Sequence, residues 1–312
     1  MNPAIDLTRL HKRYGRRTAV DSLSLSVEPG SVFGLIGPNG AGKTTTLRMI
    51  LDIIRPTSGA VRVLGQDPRS AGAALRRRIG FVPGELRLDG RMTGRRMLDF
   101  YSQASGPVPA GRIDLLSERL GLDLSRRVGT LSKGNKQKLG IVQAFMHEPE
   151  LLVLDEPTSG LDPLVQREFL QLVREARGRG QTVLLSSHVL SEIQQAADSV
   201  AVLSAGRIVA EGNVASLRLG AIRRVRAGFE HVSEEELRRE LAHLPHLADL
   251  EIARADGSVR LSATVEGDID PFVKSIARHR LLDLSVEEPD LEESVLRLYG
   301  SPQPPAEGAD HA

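Results

Sequence analysis

The sequence predicts an α/β fold organised round a phosphate-cradling loop, with a smaller α+β module behind it. Three observations predict it. Gly37-Pro38-Asn39-Gly40-Ala41-Gly42-Lys43-Thr44-Thr45 fits G-x-x-x-x-G-K-[ST], between an apolar run at 32–36 and a helically spaced segment at 45–53. A second apolar run at 151–154 ends in the carboxylate pair Asp155-Glu156. From residue 222 the pattern becomes β-α-β-β-α-β plus a helix, the plan of a ferredoxin-like module.

The loop's chemistry follows from its residue types. Gly37, Gly40 and Gly42 let the backbone wrap an anion with its N–H groups inward. Lys43 offers a point charge to the β- and γ-phosphates, and the Thr44 hydroxyl can ligate Mg²⁺. A helix starting near Gly42 adds its positive dipole end.

Composition narrows the class. A chain of 312 residues holds about two domains. With 40% hydrophobic and 26% charged residues it reads as globular with an ample core. A net charge of +1 gives no general attraction to nucleic acid or an acidic membrane. The absence of cysteine excludes a disulfide framework and thiolate metal sites. No signal peptide is expected from residues 1–6, and no run of 18 apolar residues occurs, so any membrane role is expected to need a separate partner. No internal repeat is visible.

Along the chain, residues 4–10 alternate like a strand, and 11–15 read as a turn carrying Tyr14. Tyr14 is a packing residue or a stacking platform for a nucleobase. Residues 20–27 alternate as a half-exposed antiparallel strand, 28–30 turn, and a small antiparallel sheet leads into the loop strand. Turns at 55–59 and 65–68 bracket a strand at 60–64. The strand at 79–83 runs into Gly84-Glu85. Residues 93 to about 124 read as a helical insertion, broken at 105–111. Residues 131–137 read as a polar turn opening a helix, where Ser132 and the Gly134 backbone are either an ordinary cap or donors to an anion.

Asp155 and Glu156 stand at the carboxyl end of a buried strand, where parallel α/β sheets bind ligands. One can hold Mg²⁺ through water and the other can orient an attacking water. Asp162 reads as a helix cap before Pro163. The strand at 182–188 ends in His188, beside the expected phosphate site. Helix 191–197 and strands 199–203 and 208–212 follow.

These segments, in this order, resemble the ATP-binding subunit of an ABC transporter over residues 4 to about 218. The markers are the P-loop at 37–45, LSKGN at 131–135, LLVLDE at 151–156, SGLD at 159–162 and His188. The resemblance implies a P-loop NTPase core with an antiparallel β subdomain and a helical insertion at about 85–135. It implies two cassettes, a homodimer or heterodimer, sandwiching two ATP molecules head to tail. Lys43 and Thr44, with the rest of the loop, would hold phosphate and Mg²⁺, and Asp155 would support the Mg²⁺ shell. Glu156 would polarise the water and His188 would contact the γ-phosphate. Ser132 and Gly134 would reach the partner's ATP, Asp162 would lie in the loop linking the two sites, and Tyr14 would stack on the base.

Three residues depart from the family pattern. Gly84 stands where the family usually has Gln, which removes one Mg²⁺ ligand; Glu85 is the candidate substitute. Lys133 replaces a usual Gly, and Asn135 a usual Gln. Hydrolysis is expected to survive and to be slow.

The expected domains are 1–218, 219–300 and a disordered tail, 301–312. Residues 222–229, 247–253, 259–265 and 281–286 read as strands, with a hairpin signal at Asp256-Gly257. Residues 233–244, 269–278 and 291–298 read as helices, the first with a capping box at Ser233 and Glu236. With its closing LEESVLRLYG, the extension resembles bacterial drug-exporter ATPases of the daunorubicin-resistance type. The resemblance implies export through integral membrane permease subunits, at the cytoplasmic face of the cell membrane, without nucleic acid. A soluble ABC ATPase acting on ribosomes or DNA is the alternative. A P-loop kinase leaves LSKGN, SGLD and His188 unexplained, and an ATP-binding switch with little turnover is the reading Gly84 keeps open.

Overall fold

The computed structural model describes residues 2–86, 88–214, 222–244, 246–255 and 257–287. The helix expected at 291–298, the tail at 301–312 and Asp256 of the hairpin lie outside the described residues. The chain divides into two compact units, Met1–Glu211 and Gly212–Ala312, each with its own hydrophobic core.

The first unit opens with β1 (Ile5–Tyr14) and β2 (Arg17–Val27), which pair antiparallel from Ile5↔Val27 to Tyr14↔Arg17. Residues 11–14 are therefore strand, not the turn the sequence suggested. The cross-strand pairing carries the polar run outward and leaves only Gly15-Arg16 to turn, Gly15 at φ +55°. Next come β3 (Val32–Ile36), α1 (Lys43–Ile50) and β4 (Ser58–Val63), the last completing a three-stranded sheet in the order β2-β1-β4. Helix α2 (Pro68–Arg76) stands after residues read as a turn. The Asp67 side chain accepts from the Arg69 N–H at 2.8 Å and Pro68 fills the first helical position, so that turn is a helix cap.

Strand β5 (Ile79–Val82) precedes the insertion, which holds α3 (Gly94–Ala104), α4 (Arg112–Arg119) and a short 3₁₀ turn at Val128–Thr130. Helix α5 (Lys133–Phe145) begins four residues earlier than its apolar spacing indicated, because Ser132 caps it through the Asn135 N–H. The core then runs β6 (Leu151–Asp155), α6 (Pro163–Gly178), β7 (Thr182–Ser187), α7 (Leu190–Ala196), β8 (Ser199–Ser204) and β9 (Arg207–Asn213). The second sheet has the order β5-β6-β7-β3-β8-β9, and its first five strands are parallel neighbours. Every residue of β3, β6 and β7 is buried, as expected for parallel strands covered on both faces. Arg119 ties the insertion to α6, donating to Glu168 at 2.5 Å and to Glu175 at 2.7 and 2.8 Å.

The second unit holds β10 (Ile222–Glu230), α8 (Glu234–Leu241), β11 (Leu247–Ala255), β12 (Ser258–Glu266), α9 (Asp270–Ile276) and β13 (Arg280–Glu287). Its sheet runs β11-β12-β10-β13 with every neighbour antiparallel, the ferredoxin-like order. Ser233 caps α8 through the Glu236 N–H at 3.2 Å. Phe229, Leu261, Phe272 and Ile276 are among its buried core.

Candidate functional site

The parallel strands bring three polar ends together. β3 delivers the loop at 37–45, β6 delivers Asp155 and Glu156, and β7 delivers Ser186, Ser187 and His188. Ligands of such sheets bind at this edge.

The loop's tightness is visible in its glycines. A Cβ on Gly37 would stand 2.2 Å from the Leu203 carbonyl oxygen, and one on Gly42 would stand 2.6 Å from that of Ala19. Gly42 sits at φ +110° as the N-cap of α1 and offers no side-chain cap, and the first turn carries no acid. The opening N–H groups of α1 thus remain available to an anion.

Lys43 is buried at 6% exposure and donates to the Gly37 carbonyl at 2.5 Å. Its ammonium lies 3.1 Å from Oε1 of Glu156, an oxygen that accepts no hydrogen bond. The other oxygen, Oε2, meets Nδ1 of His188 at 2.6 Å. Glu156 has a left-handed backbone at φ +47°, a conformation that costs on the order of 1–3 kcal/mol in a non-glycine residue. Ser186 holds it there: the Glu156 N–H donates to the Ser186 carbonyl at 3.2 Å and lies 3.1 Å from its hydroxyl oxygen. The same hydroxyl donates to Oδ1 of the buried Asp155 at 2.7 Å.

A cleft of ≈ 430 Å³ opens on this edge, lined by Tyr14, Arg17, Ala19, residues 38–45 and Glu156. Pro38, Asn39, Gly40, Ala41, Gly42, Lys43, Thr44 and Thr45 thus all face one space. Tyr14 is half-exposed, with the Lys12 ammonium 4.9 Å from its ring centroid. Gly84 lies beside Asp155: a Cβ there would be 3.1 Å from Oδ2. Glu85 is exposed next to it. No group of three His, Cys, Asp or Glu side chains gathers round a metal position among the described residues. A cation here would depend on a hydroxyl and a single carboxylate, the donor set hard Mg²⁺ accepts when phosphate oxygens complete its shell.

Ser132, Gly134 and Asp162 do not line the cleft; the first two open α5, which packs against the turn after Glu156, and Asp162 opens α6. Gln137 donates to the Pro157 carbonyl at 3.0 Å, and Lys133 donates to the Ser159 hydroxyl at 3.2 Å. A Cβ on Gly134 would stand 2.6 Å from the Gly160 carbonyl oxygen. Asp162 accepts from the Leu164 and Val165 N–H groups at 3.1 and 3.0 Å, the cap read from Asp-Pro.

Sequence reasoning missed Arg17, Ser186 and Glu192. Glu192 accepts from Thr158 and Ser187, both at 2.8 Å, and so ties the turn after β6 to the end of β7. The hydroxyls closing β7 were the available signal for Ser186.

An apolar depression of ≈ 230 Å³ lies on the insertion side, with Phe81, Pro83, Leu86, Met97 and Tyr101 in its wall. No helix among the described residues is long and apolar enough to cross a membrane.

Residues 20–159 match the family model described as ABC transporter. The bacitracin transport ATP-binding protein BcrA of Bacillus licheniformis is 40% identical over 214 residues, 68% of this chain and 70% of that protein. The protein of the same name from Enterococcus faecalis is 34% identical over 310 residues, 96% of this chain and 97% of that one. A solved structure described as the ATP-binding subunit of an ABC transporter matches with TM-score 0.64 and 31% identity, over 69% of this chain and 92% of that chain.

Proposed function

This chain belongs to the ABC transporter family as an ATP-hydrolysing subunit, and from that premise we propose that it works as a dimer driving export of a drug-like substrate through separate membrane permeases. The observation that carries the reading is the chain of contacts Lys43–Glu156–His188 at the mouth of the loop cleft.

In this mechanism the N–H groups of residues 37–45 and the Lys43 ammonium bind the phosphates of ATP, and Tyr14 stacks on the base. Thr44 and Asp155, with Glu85 as a further candidate, would hold Mg²⁺, which supplies positive charge to the β- and γ-phosphate oxygens. Oε1 of Glu156, which accepts no hydrogen bond, takes one from water. The water oxygen bonds to the γ-phosphorus as the bond to the ADP oxygen breaks, and the proton passes through Glu156 to the released phosphate. His188 fixes the Glu156 carboxylate and reaches toward the γ-phosphate.

Ser132 and Gly134 of a second cassette close the cleft, with Asp162 in the loop joining the two sites. The reading is supported by the packing of the α5 start against the turn after Glu156, outside the cleft of its own chain. The cassette is residues 1–218, with its insertion at about 85–135, and residues 219–300 are an accessory domain. The permease docks at the apolar depression beside Gly84, and the chain sits at the cytoplasmic face of the membrane without nucleic acid. Export is favoured by the bacitracin-transport relative of Enterococcus faecalis, whose match extends through the second unit.

Tagged protein extracted from native membranes in detergent tests the reading. A multi-span membrane protein is expected in near-equal amount, and Arg96→Glu on α3 is expected to reduce its recovery. Ribosomal or DNA-bound proteins with nothing membrane-embedded would replace the transporter reading with the soluble-ATPase one.

A further inference from the structure

We propose that Arg17 is a nucleotide-binding residue that grips the part of the phosphate chain common to ATP and ADP. The inference rests on the loop cleft being the ATP site. It starts from the register of the first hairpin, where Tyr14 and Arg17 are the terminal cross-strand pair. Directly opposed residues of an antiparallel pair project from the same face. The turn between them is two residues long and enters at Gly15, φ +55°, so the pair is held close to the hairpin end. A tyrosine that stacks on the base therefore brings an arginine with it.

The guanidinium extends to the tip of the phosphate loop. Nη2 of Arg17 lies 3.7 Å from the position of a Cβ on Gly40, and both residues line the cleft. The two cleft cations differ in their surroundings. Lys43 has Glu156 at 3.1 Å, whereas no carboxylate among the described residues pairs with Arg17. An exposed guanidinium beside a ring of inward N–H groups favours a polyanion, and its planar fork suits phosphate oxygens. Lys12 plays a different part: it sits over the Tyr14 ring and donates to the Arg55 carbonyl at 2.6 Å, so it braces the base platform.

The placement gives Arg17 a role that Lys43 does not share. Lys43 stands at the strand end beside Glu156, with the reacting γ-phosphate; Arg17 approaches from the hairpin that carries the base platform. Its grip is felt by ATP and ADP alike, and falls on affinity rather than on the bond-breaking step.

Calorimetric titration of the full-length protein with ATP, ADP and adenosine tests this in Arg17→Ala, Arg17→Lys and Tyr14→Ala. Arg17→Ala is expected to weaken ATP and ADP by the same factor, roughly tenfold, as for a lost hydrogen bond to a charged group. Adenosine binding stays as it was, KM for ATP rises without a matching fall in kcat, and Arg17→Lys recovers part of the loss. Tyr14→Ala weakens all three ligands, adenosine included. Arg17→Ala with wild-type affinity for ATP and ADP, or a loss confined to ATP, would overturn the assignment; an unchanged thermal midpoint establishes that the variant is folded. Folded wild-type protein that binds neither ATP nor ADP would instead remove the nucleotide site itself.

Discussion

Each unit of this chain holds a glutamate–histidine pair at the same separation. Glu156 meets His188 at 2.6 Å in the first unit, and Glu240 meets His279 at 2.6 Å in the second. Distance does not separate them; surroundings do. Glu240 stands on α8, with Arg278 3.5 Å from its second oxygen. His279 is mostly buried and presents its ring at 88° to Phe229, centroids 6.3 Å apart. The hydrogen bond from His279 is the largest cause holding Glu240 below the ordinary carboxylate range. This pair is a staple within the second unit: one oxygen meets His279 and the other lies beside Arg278. Glu156 stands on a left-handed backbone in the wall of the loop cleft, its Oε1 ion-paired with the buried Lys43 at 3.1 Å, while its histidine is half-exposed. The working carboxylate is therefore marked by its place in a cleft, between a buried cation and an accessible histidine.

The largest effect should come from removing the base in one pair and its counterpart in the other. Glu156→Gln is expected to cut phosphate release by about 10²–10⁴-fold, the scale of general base catalysis, while ATP still binds. Glu240→Gln should leave turnover at the wild-type level; a large loss there would erase the contrast. Next in size, Lys43→Ala is expected to weaken ATP by about 10–100-fold, as for a charged hydrogen-bond donor, in equilibrium titration.

A smaller effect sharpens the comparison from the stability side. Because the folded pKa of Glu240 is lowered, the unfolded chain binds more protons in acid. Its stabilisation is therefore present above the ordinary carboxylate value of 4.5 and is lost as pH falls below it toward the folded pKa. Glu240→Gln should cost roughly 1 kcal/mol or less at pH 7, and nothing once the carboxylate is protonated, in hydrogen exchange of α8 amides. Smallest of all, burial pushes the His147 imidazole below its ordinary value of 6.5, outweighing the opposing influence of the Ile79 and Gln143 backbone. His147 stabilises the first unit above that value and destabilises it as pH falls. His147→Phe should flatten the acid arm of the unfolding curve by a few tenths to about 1 kcal/mol, because it removes a group that must otherwise be held neutral.

Much of this architecture was legible because local chemistry and tertiary role coincide. Buried strands such as β6 read as apolar runs, and Asp162 and Ser233 announced their helices by capping. The phosphate loop is a contiguous stretch whose glycines are demanded by close approach to Leu203 and Ala19. The missed features depend on register and on contacts distant in sequence. Arg17 enters the cleft only because β1 and β2 pair through Tyr14, and nothing in a basic run distinguishes it from solvated neighbours. Ser186 matters because β6 and β7 are parallel neighbours, with Asp155 opposite it. Helix α2 was overlooked because Asp67-Pro68 serves equally as a turn and as a helix start.

The most direct test of the account is the mass and nucleotide content of Glu156→Gln incubated with Mg-ATP, measured by size exclusion with light scattering and analysis of the bound nucleotide. The account predicts a dimer carrying two unhydrolysed ATP molecules, with Glu156 having left binding intact and hydrolysis disabled. A monomer that releases phosphate at the wild-type rate would contradict it, because neither the carboxylate at the end of β6 nor the face containing Ser132 and Gly134 would then take part.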